Sequence, residues 1–442
     1  MGNLQTSESI QRLRTALHTK AKEEPKYRFY LLYDKIYRQD VLLHAYRSCK
    51  ANKGAAGVDG VDFETIEKYG VERWLGELAE RLRKKDYQPE AVRRVMIPKP
   101  NGKLRPLGIP TITDRVVQTA AMLVLEPIFE ADLQPEQYAY RAERGAQDAV
   151  KAVHRLLITG HTHVVDADLS GYFDSIPHAE LMKSVARRIV DGNVLHLIKQ
   201  WLDAPVEEDD GHGHRKRTTT SKNTGRGTPQ GAPISPLLSN LYMRRFLLGW
   251  KTLGHARRLS AHIVNYADDF VICCKGHADE AMATMRRIMR VLKLTVNEDK
   301  THLCEIPQER FDFLGYTFGR CYKHDSGRAY IGTKPSKKSI KRMVESISSE
   351  TDRRRTLIDA AKIVGGLNRK LNGWANYFCL GPVSPAYRAI NTHVTNRLRR
   401  WLCKKHRVRG TGWSRYPNQY LYEQMRLVNL PQRTRSFPWA KV

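Results

Sequence analysis

The run IVNYADDFVICC, residues 263–274, sets two adjacent carboxylates, Asp268 and Asp269, in the middle of a β-branched and aromatic stretch. Residues of that kind fit a pleated, half-buried surface, so the pattern predicts two strands joined by a tight Ala-Asp-Asp turn. Asp is a good turn former, which gives the segment an ordinary explanation. That explanation leaves the energetics open, because a buried pair of like charges is costly unless a cation neutralises it.

A second acidic spot lies upstream, where Asp166, Asp168 and Asp174 punctuate VVDADLSGYFDSI. Asp166 and Asp168 are two apart and on a strand would face the same side. If that strand lies beside the 263–274 hairpin in one sheet, three or four carboxylates converge, which a fold tolerates mainly when divalent cations bind them. All-oxygen ligation indicates Mg²⁺, with Mn²⁺ as a substitute, and Mg²⁺ completes its shell with water and substrate phosphates. Two such ions clamp an in-line phosphoryl displacement, so nucleotidyl transfer is the expected reaction. A triphosphate also needs cations outside the acids. Lys99 and Arg105 suit it, on a hairpin predicted over RRVMIPKPNGKLRPLGIP with its turn at PNGK. Lys300, in NEDKT, is a candidate proton donor to the departing pyrophosphate. Taken singly, each of these cations reads as well as a solvent-facing side chain.

The rest of the chain fits a polyanionic substrate. Lys and Arg total 75 against 46 Asp and Glu, a net charge of +29. An acidic membrane would satisfy the charge, but no apolar stretch is long enough to span one and no lipidation signal is present. The N-terminus lacks the apolar core of a secretion signal. Seven scattered Cys, two of them adjacent at 273 and 274, read as free thiols, and no CxxC or HExxH is present to suggest zinc. A cytoplasmic location is expected, with association to the nucleoid compatible.

The pattern of elements predicts an α+β fold. Residues 1–115 read as a mostly helical stretch followed by the basic hairpin, 116–330 as mixed helix and strand, 331–400 as helical, and 401–442 as a basic segment that contacts nucleic acid. Within 384–405, Tyr387, Ile390, Val394, Leu398 and Trp401 form an apolar stripe, while Arg399, Arg400, Lys404 and Lys405 supply basic density suited to a phosphate backbone. A merely solvated face is the ordinary alternative.

The order of segments carries more information than any one of them. AGVDGV, IPKPNGKLRPLGIPTITDRVVQ, LEPIFE, DADLSGYFDSI, GTPQGAPISPLLSNLY, NYADDFVI, NEDKTH, FLGYTF and LNGWANYF span most of residues 54–380. In that order they resemble the blocks of bacterial group II intron reverse transcriptases, also called maturases. The resemblance implies a right-hand polymerase, with residues 1–115 as N-terminal extension and fingers, 116–330 as a palm with an antiparallel sheet and 331–400 as an α-helical thumb, and with Asp168 and Asp268 as main metal ligands and Asp269 completing the acidic set. It places Phe173 under the sugar of the incoming deoxynucleotide, Gln230 by the nascent base pair, and Lys99 and Arg105 on the triphosphate. Trp374 and Tyr377, in GWANYF, would belong to the thumb that grips intron RNA, and they also read as anchors of a helical core. The implied partners are an RNA template, a DNA primer or target and deoxynucleotides, with a homodimer left open.

Two departures concern template handling rather than chemistry: YAYRAERGAQDA stands where Gly and Phe usually precede Arg-Pro, and Asn265 replaces a common Arg before YADD. Many relatives end in an HNH-type endonuclease with paired cysteines. Here the sequence stops at Val442 with only Cys403 nearby, so second-strand cleavage is not expected. Two other readings stay open: an RNA-folding protein on a polymerase scaffold, and a relative recruited to DNA repair or CRISPR spacer acquisition.

Overall fold

The computed structural model describes residues 6–98, 102, 104–209, 215–323 and 325–433. Its strands are β1 (Val92–Pro98), β2 (Leu104–Ile109), β3 (His163–Asp168), β4 (Val206–Asp209), β5 (Arg215–Thr218), β6 (Ala261–Tyr266), β7 (Asp269–Cys274), β8 (His302–Glu305), β9 (Phe311–Phe313), β10 (Tyr316–Tyr322) and β11 (Ala329–Pro335). They form three sheets, ordered β2-β1-β4-β5, β6-β7-β3-β8 and β11-β10-β9. The fold is α+β, as the sequence pattern predicts.

The expected basic hairpin is β1 and β2, antiparallel, with Arg93 opposite Ile109 and Pro98 opposite Leu104. The polar stretch after residue 203 adds β4 and β5 to the same sheet, β4 running parallel to β1.

The central sheet is antiparallel throughout, and both faces are covered, which explains its near-continuous apolar runs. The two-residue period divides it cleanly. Val165, Ala167, Phe270, Ile272 and Cys274 pack with the helices Ser235–Thr252 and Ala278–Val291. Val164, Val264, Val271, Cys273 and Cys304 pack with the helix Ala146–Ile158 and with Phe311 and Phe318 of the third sheet. Asp166, Asp168 and Asp269 continue this second face towards the open end of the sheet.

Beyond Pro335 three long helices follow, Lys337–Glu350, Ala360–Tyr377 and Ser384–Lys405. Their buried side chains, including Met343, Ile347, Leu367, Ile390, Val394 and Leu398, share one core with Tyr416, Leu421, Leu427 and Leu430. The boundary expected at 400 therefore falls inside a helix, and residues 401–433 complete the helical domain. The terminal RSFPWAKV lies outside the described residues.

Candidate active site

β3 pairs with β7 so that Asp168 lies directly opposite Asp269, and Asp269 in turn opposes Tyr266 of β6. Like charges directly opposite in a ladder destabilise it, so the pairing is not one that packing alone would select. Asp268 occupies the turn before β7, next to Ala267, whose φ of +58° lies in the left-handed region. Asn265 secures this turn. It is fully buried, donates its Nδ2 to the Ala267 carbonyl at 2.8 Å, and exchanges backbone hydrogen bonds with Glu136 and Tyr138. The residue that departs from the common pattern thus shapes the acidic turn from beneath.

Asp168 is held from the other side. Asn297 Nδ2 donates to its Oδ2 at 3.0 Å, Lys300 Nζ donates to the same oxygen at 2.9 Å, and the Asn297 amide binds the Asp168 carbonyl. Lys300 lies in the turn leading to β8, with its side chain 63% exposed. Burial, reinforced by Asp268 and Asp168, pushes the Asp269 carboxyl well above the usual carboxylate range. Burial likewise raises Asp268, with Asp168 adding to it and Arg105 and Lys300 opposing. Asp166 is raised by burial too, against the pull of His302, whose ring is 3.6 Å away.

These shifts describe a site short of positive charge, in which the Lys300 ammonium already stands against one carboxylate oxygen. Among the described residues no group of three or more Asp, Glu, His or Cys side chains is by itself placed to hold a metal ion. An open shelf of carboxylates is what a hard cation needs when substrate phosphates and water fill the rest of its shell. The residues present fit divalent cations.

In front of the shelf lies a cleft of about 820 Å³ whose lining includes Arg105, Tyr140, Phe173, Gln230 and Asp268. Four side chains chosen from separate parts of the sequence therefore share one cavity. Gln230 reaches it because the PQG loop lies against β2: the Gly108 amide donates to the Gln230 carbonyl at 2.6 Å. Gly231 has φ +107°, and a Cβ there would stand 2.3 Å from the Gly108 carbonyl oxygen. Gly231→Ala must push the loop off the strand, and about tenfold loss of kcat/KM for deoxynucleotide is expected. Steady-state primer extension reads it, and a wild-type value would separate this loop from the site.

Two residues of the site escaped sequence reading. Asn297 sits in the same NEDKT block as Lys300 but has no local signal of its own. Tyr140, in YAYR, has φ +56° and is 51% exposed; its ring meets that of Phe173 edge-on at 6.4 Å between centroids. Lys99 lies outside the described residues.

The basic and aromatic residues expected to meet nucleic acid divide into two groups. Arg400 and Lys404 are exposed on the Ser384–Lys405 helix. Arg399 corrects the expectation. It is 1% exposed, donates to the Tyr416 carbonyl and to Asn418 and Asn396, and lies 3.6 Å from the Trp413 ring centroid, so its donors are spent inside the fold. Lys405 is half-buried, with its ammonium on the carbonyls of Thr356 and Ile358. Trp374 packs against Phe378 and Tyr387, and the Tyr377 hydroxyl donates to the Leu314 carbonyl at 2.8 Å, joining the helical domain to the third sheet.

Comparison with known proteins agrees with this geometry. Residues 97–318 match the family described as reverse transcriptase (RNA-dependent DNA polymerase), and residues 340–420 match the group II intron maturase-specific domain. Protein YkfC of Escherichia coli K12 is 34% identical over 75% of this chain and 93% of its own length. The group II intron-encoded protein LtrA of Lactococcus lactis is 27% identical over 78% of this chain, which spans 65% of that protein. No described helix is long and apolar enough to cross a membrane. The chain belongs to the group II intron reverse transcriptases, RNA-directed DNA polymerases that carry a maturase domain.

Proposed function

We propose that this chain copies RNA into DNA at the β3–β7 carboxylates, and that its helical domain binds intron RNA for splicing and mobility, a reading supported by the match of residues 340–420 to the group II intron maturase-specific domain. The observation that carries the polymerase reading is the pairing of Asp168 with Asp269 beside a cleft shared by Asp268, Arg105, Phe173 and Gln230. Asp168, Asp268 and Asp269 would hold two Mg²⁺ ions, with Mn²⁺ able to substitute. When bound, the ions activate the primer hydroxyl and stabilise the leaving pyrophosphate. Arg105, with Lys99, neutralises the triphosphate, and Gln230 supports the nascent base pair. Lys300, whose hydrogen bond to Asp168 raises its ammonium above the ordinary value, is the candidate donor of a proton to the leaving group. A cytoplasmic location beside nucleic acid fits the charge and the seven free cysteines.

The test is primer extension on an RNA template, run beside splicing of a cognate intron RNA. Extension with splicing is expected. Splicing alone would leave an RNA-folding protein on a polymerase scaffold, and extension alone would favour a recruited relative. For the RNA-binding face, Arg400→Gln with Lys404→Gln should lower the slope of log affinity against log salt by about 1.5, two lost phosphate contacts. An unaltered slope would return those residues to ordinary solvation.

A further inference from the structure

The segment 225–230 ends in Gln230, which lines the cleft, and rests on the short helix Tyr172–Ser175, whose Phe173 lines it too. Three backbone bonds make that contact. The His178 amide donates to the Gly225 carbonyl at 2.8 Å, the Gly227 amide to the Ile176 carbonyl at 2.9 Å, and the Thr228 amide to the Phe173 carbonyl at 2.7 Å. Gly227 is buried, and its own carbonyl must find a donor. A side chain supplies it: His178 Nε2 lies 2.8 Å from that oxygen. A carbonyl only accepts, so this bond places a proton on Nε2. The other ring nitrogen, Nδ1, faces Asp203 Oδ1 at 3.5 Å.

The helices that carry these two side chains do not account for them. His178 is the first residue of the helix His178–Ala186, and its ring turns back onto the loop. Asp203 is the last residue of the helix Gly192–Asp203, at the negative end of the helix dipole, where a carboxylate is disfavoured. Both are largely covered, with side chains 12% and 27% exposed. A carboxylate kept in such a place against an imidazole fixes the orientation of the ring. What the ring then holds is a loop whose other end docks on β2, through the Gly108 amide on the Gln230 carbonyl. His178 itself does not line the cleft. The carboxylate shelf is secured independently, by Asn265 at the turn and by Asn297 and Lys300 at Asp168. The histidine therefore acts on where a nucleotide sits and leaves bond making alone.

We propose that His178, oriented by Asp203, is a positioning residue for the incoming deoxynucleotide: it locks the 225–230 loop onto the Phe173 helix and so fixes Gln230 relative to Phe173. This rests on the polymerase reading of the cleft and adds to it a pair of residues that stand behind the cleft wall.

The test is single-nucleotide incorporation by the full chain on a primed RNA template. His178→Ala should raise KM for the correct deoxynucleotide about tenfold, keep kcat within about threefold of wild type, and lower the preference for correct over mismatched nucleotide about fivefold. His178→Gln, whose amide nitrogen can donate to the same carbonyl, should bring all three back to within about twofold of wild type. Asp203→Asn leaves the donor but loosens the ring, and should raise KM about threefold. A purely structural role would lower the melting temperature and the active fraction, and hence kcat, while KM and the mismatch ratio stand. That result would overturn the proposal, as would a wild-type KM in His178→Ala or Asp203→Asn, or a glutamine variant as impaired as alanine. Should the alanine variant not fold, His178→Asn, polar but too short to reach Gly227, is compared with glutamine in its place. Failure of the wild-type chain to extend a primer would instead remove the polymerase reading, so the two failures are distinguishable.

Discussion

Asp268→Asn is expected to reduce primer extension on an RNA template about a thousandfold, roughly 4 kcal/mol of transition-state stabilisation, while leaving RNA affinity unchanged. The substitution keeps the size of the side chain and a carbonyl oxygen, so the turn secured by Asn265 beneath Ala267 should persist. What it removes is charge at the one member of the acidic set that lines the cleft. The electrostatics predict a second readout. Burial, with the added field of Asp168, raises the Asp268 carboxyl, so its charged form is held at a cost in the absence of cations. Neutralising it should leave the melting temperature of the metal-free protein unchanged or slightly higher. Loss of activity with a lowered melting temperature would mean a broken turn rather than a missing ligand. Extension at the wild-type rate would sink the assignment of the carboxylates.

How far this site could be read from sequence depended on whether its cause was local. The 263–274 hairpin was legible because alternation and turn chemistry act over a few residues, and Asp166 and Asp168 were legible as sharing a face for the same reason. That β3 pairs with β7, and in a register that sets Asp168 against Asp269, depends on contacts a hundred residues apart, and the sequence could only suppose it. Arg399 shows the opposite failure. The helical stripe of Tyr387, Ile390, Val394, Leu398 and Trp401 is fully buried, as its spacing predicts. Arg399 is covered by a different agent, the 413–418 segment returning over the helix, and no local period records that return. Lys405 is occupied for a similar reason, its partners being carbonyls of a loop nearly fifty residues earlier. Asn297 and Tyr140 acquire their roles only when their neighbours are assembled.

The other large effect concerns the sugar. Phe173 belongs to a one-turn helix, Tyr172–Ser175, entered through Gly171 at φ +55° and leaving the end of β3. The position is fixed by several independent contacts. Tyr172 is buried and its hydroxyl donates to the Ser239 carbonyl at 2.6 Å, while the Thr228 amide donates to the Phe173 carbonyl at 2.7 Å. The rings of Tyr172 and Tyr140 meet Phe173 edge-on at 5.8 and 6.4 Å. A half-buried ring held this firmly, in the same cleft as Asp268 and Gln230, has little freedom to yield to a ribose 2′-hydroxyl. Phe173→Ala should therefore lower the preference for deoxynucleotide over ribonucleotide roughly a hundredfold, about 2.7 kcal/mol, mostly by raising kcat/KM for the ribonucleotide. Phe173→Leu keeps bulk at the position without the planar ring and should retain most of the discrimination. Single-nucleotide incorporation with matched deoxy and ribo substrates measures both variants. If the alanine variant loses deoxynucleotide incorporation in proportion, so that the ratio stands, the ring supports the cleft and does not measure the sugar. If the leucine variant falls as far as alanine, the edge contact from Tyr140, rather than bulk at 173, sets the selectivity.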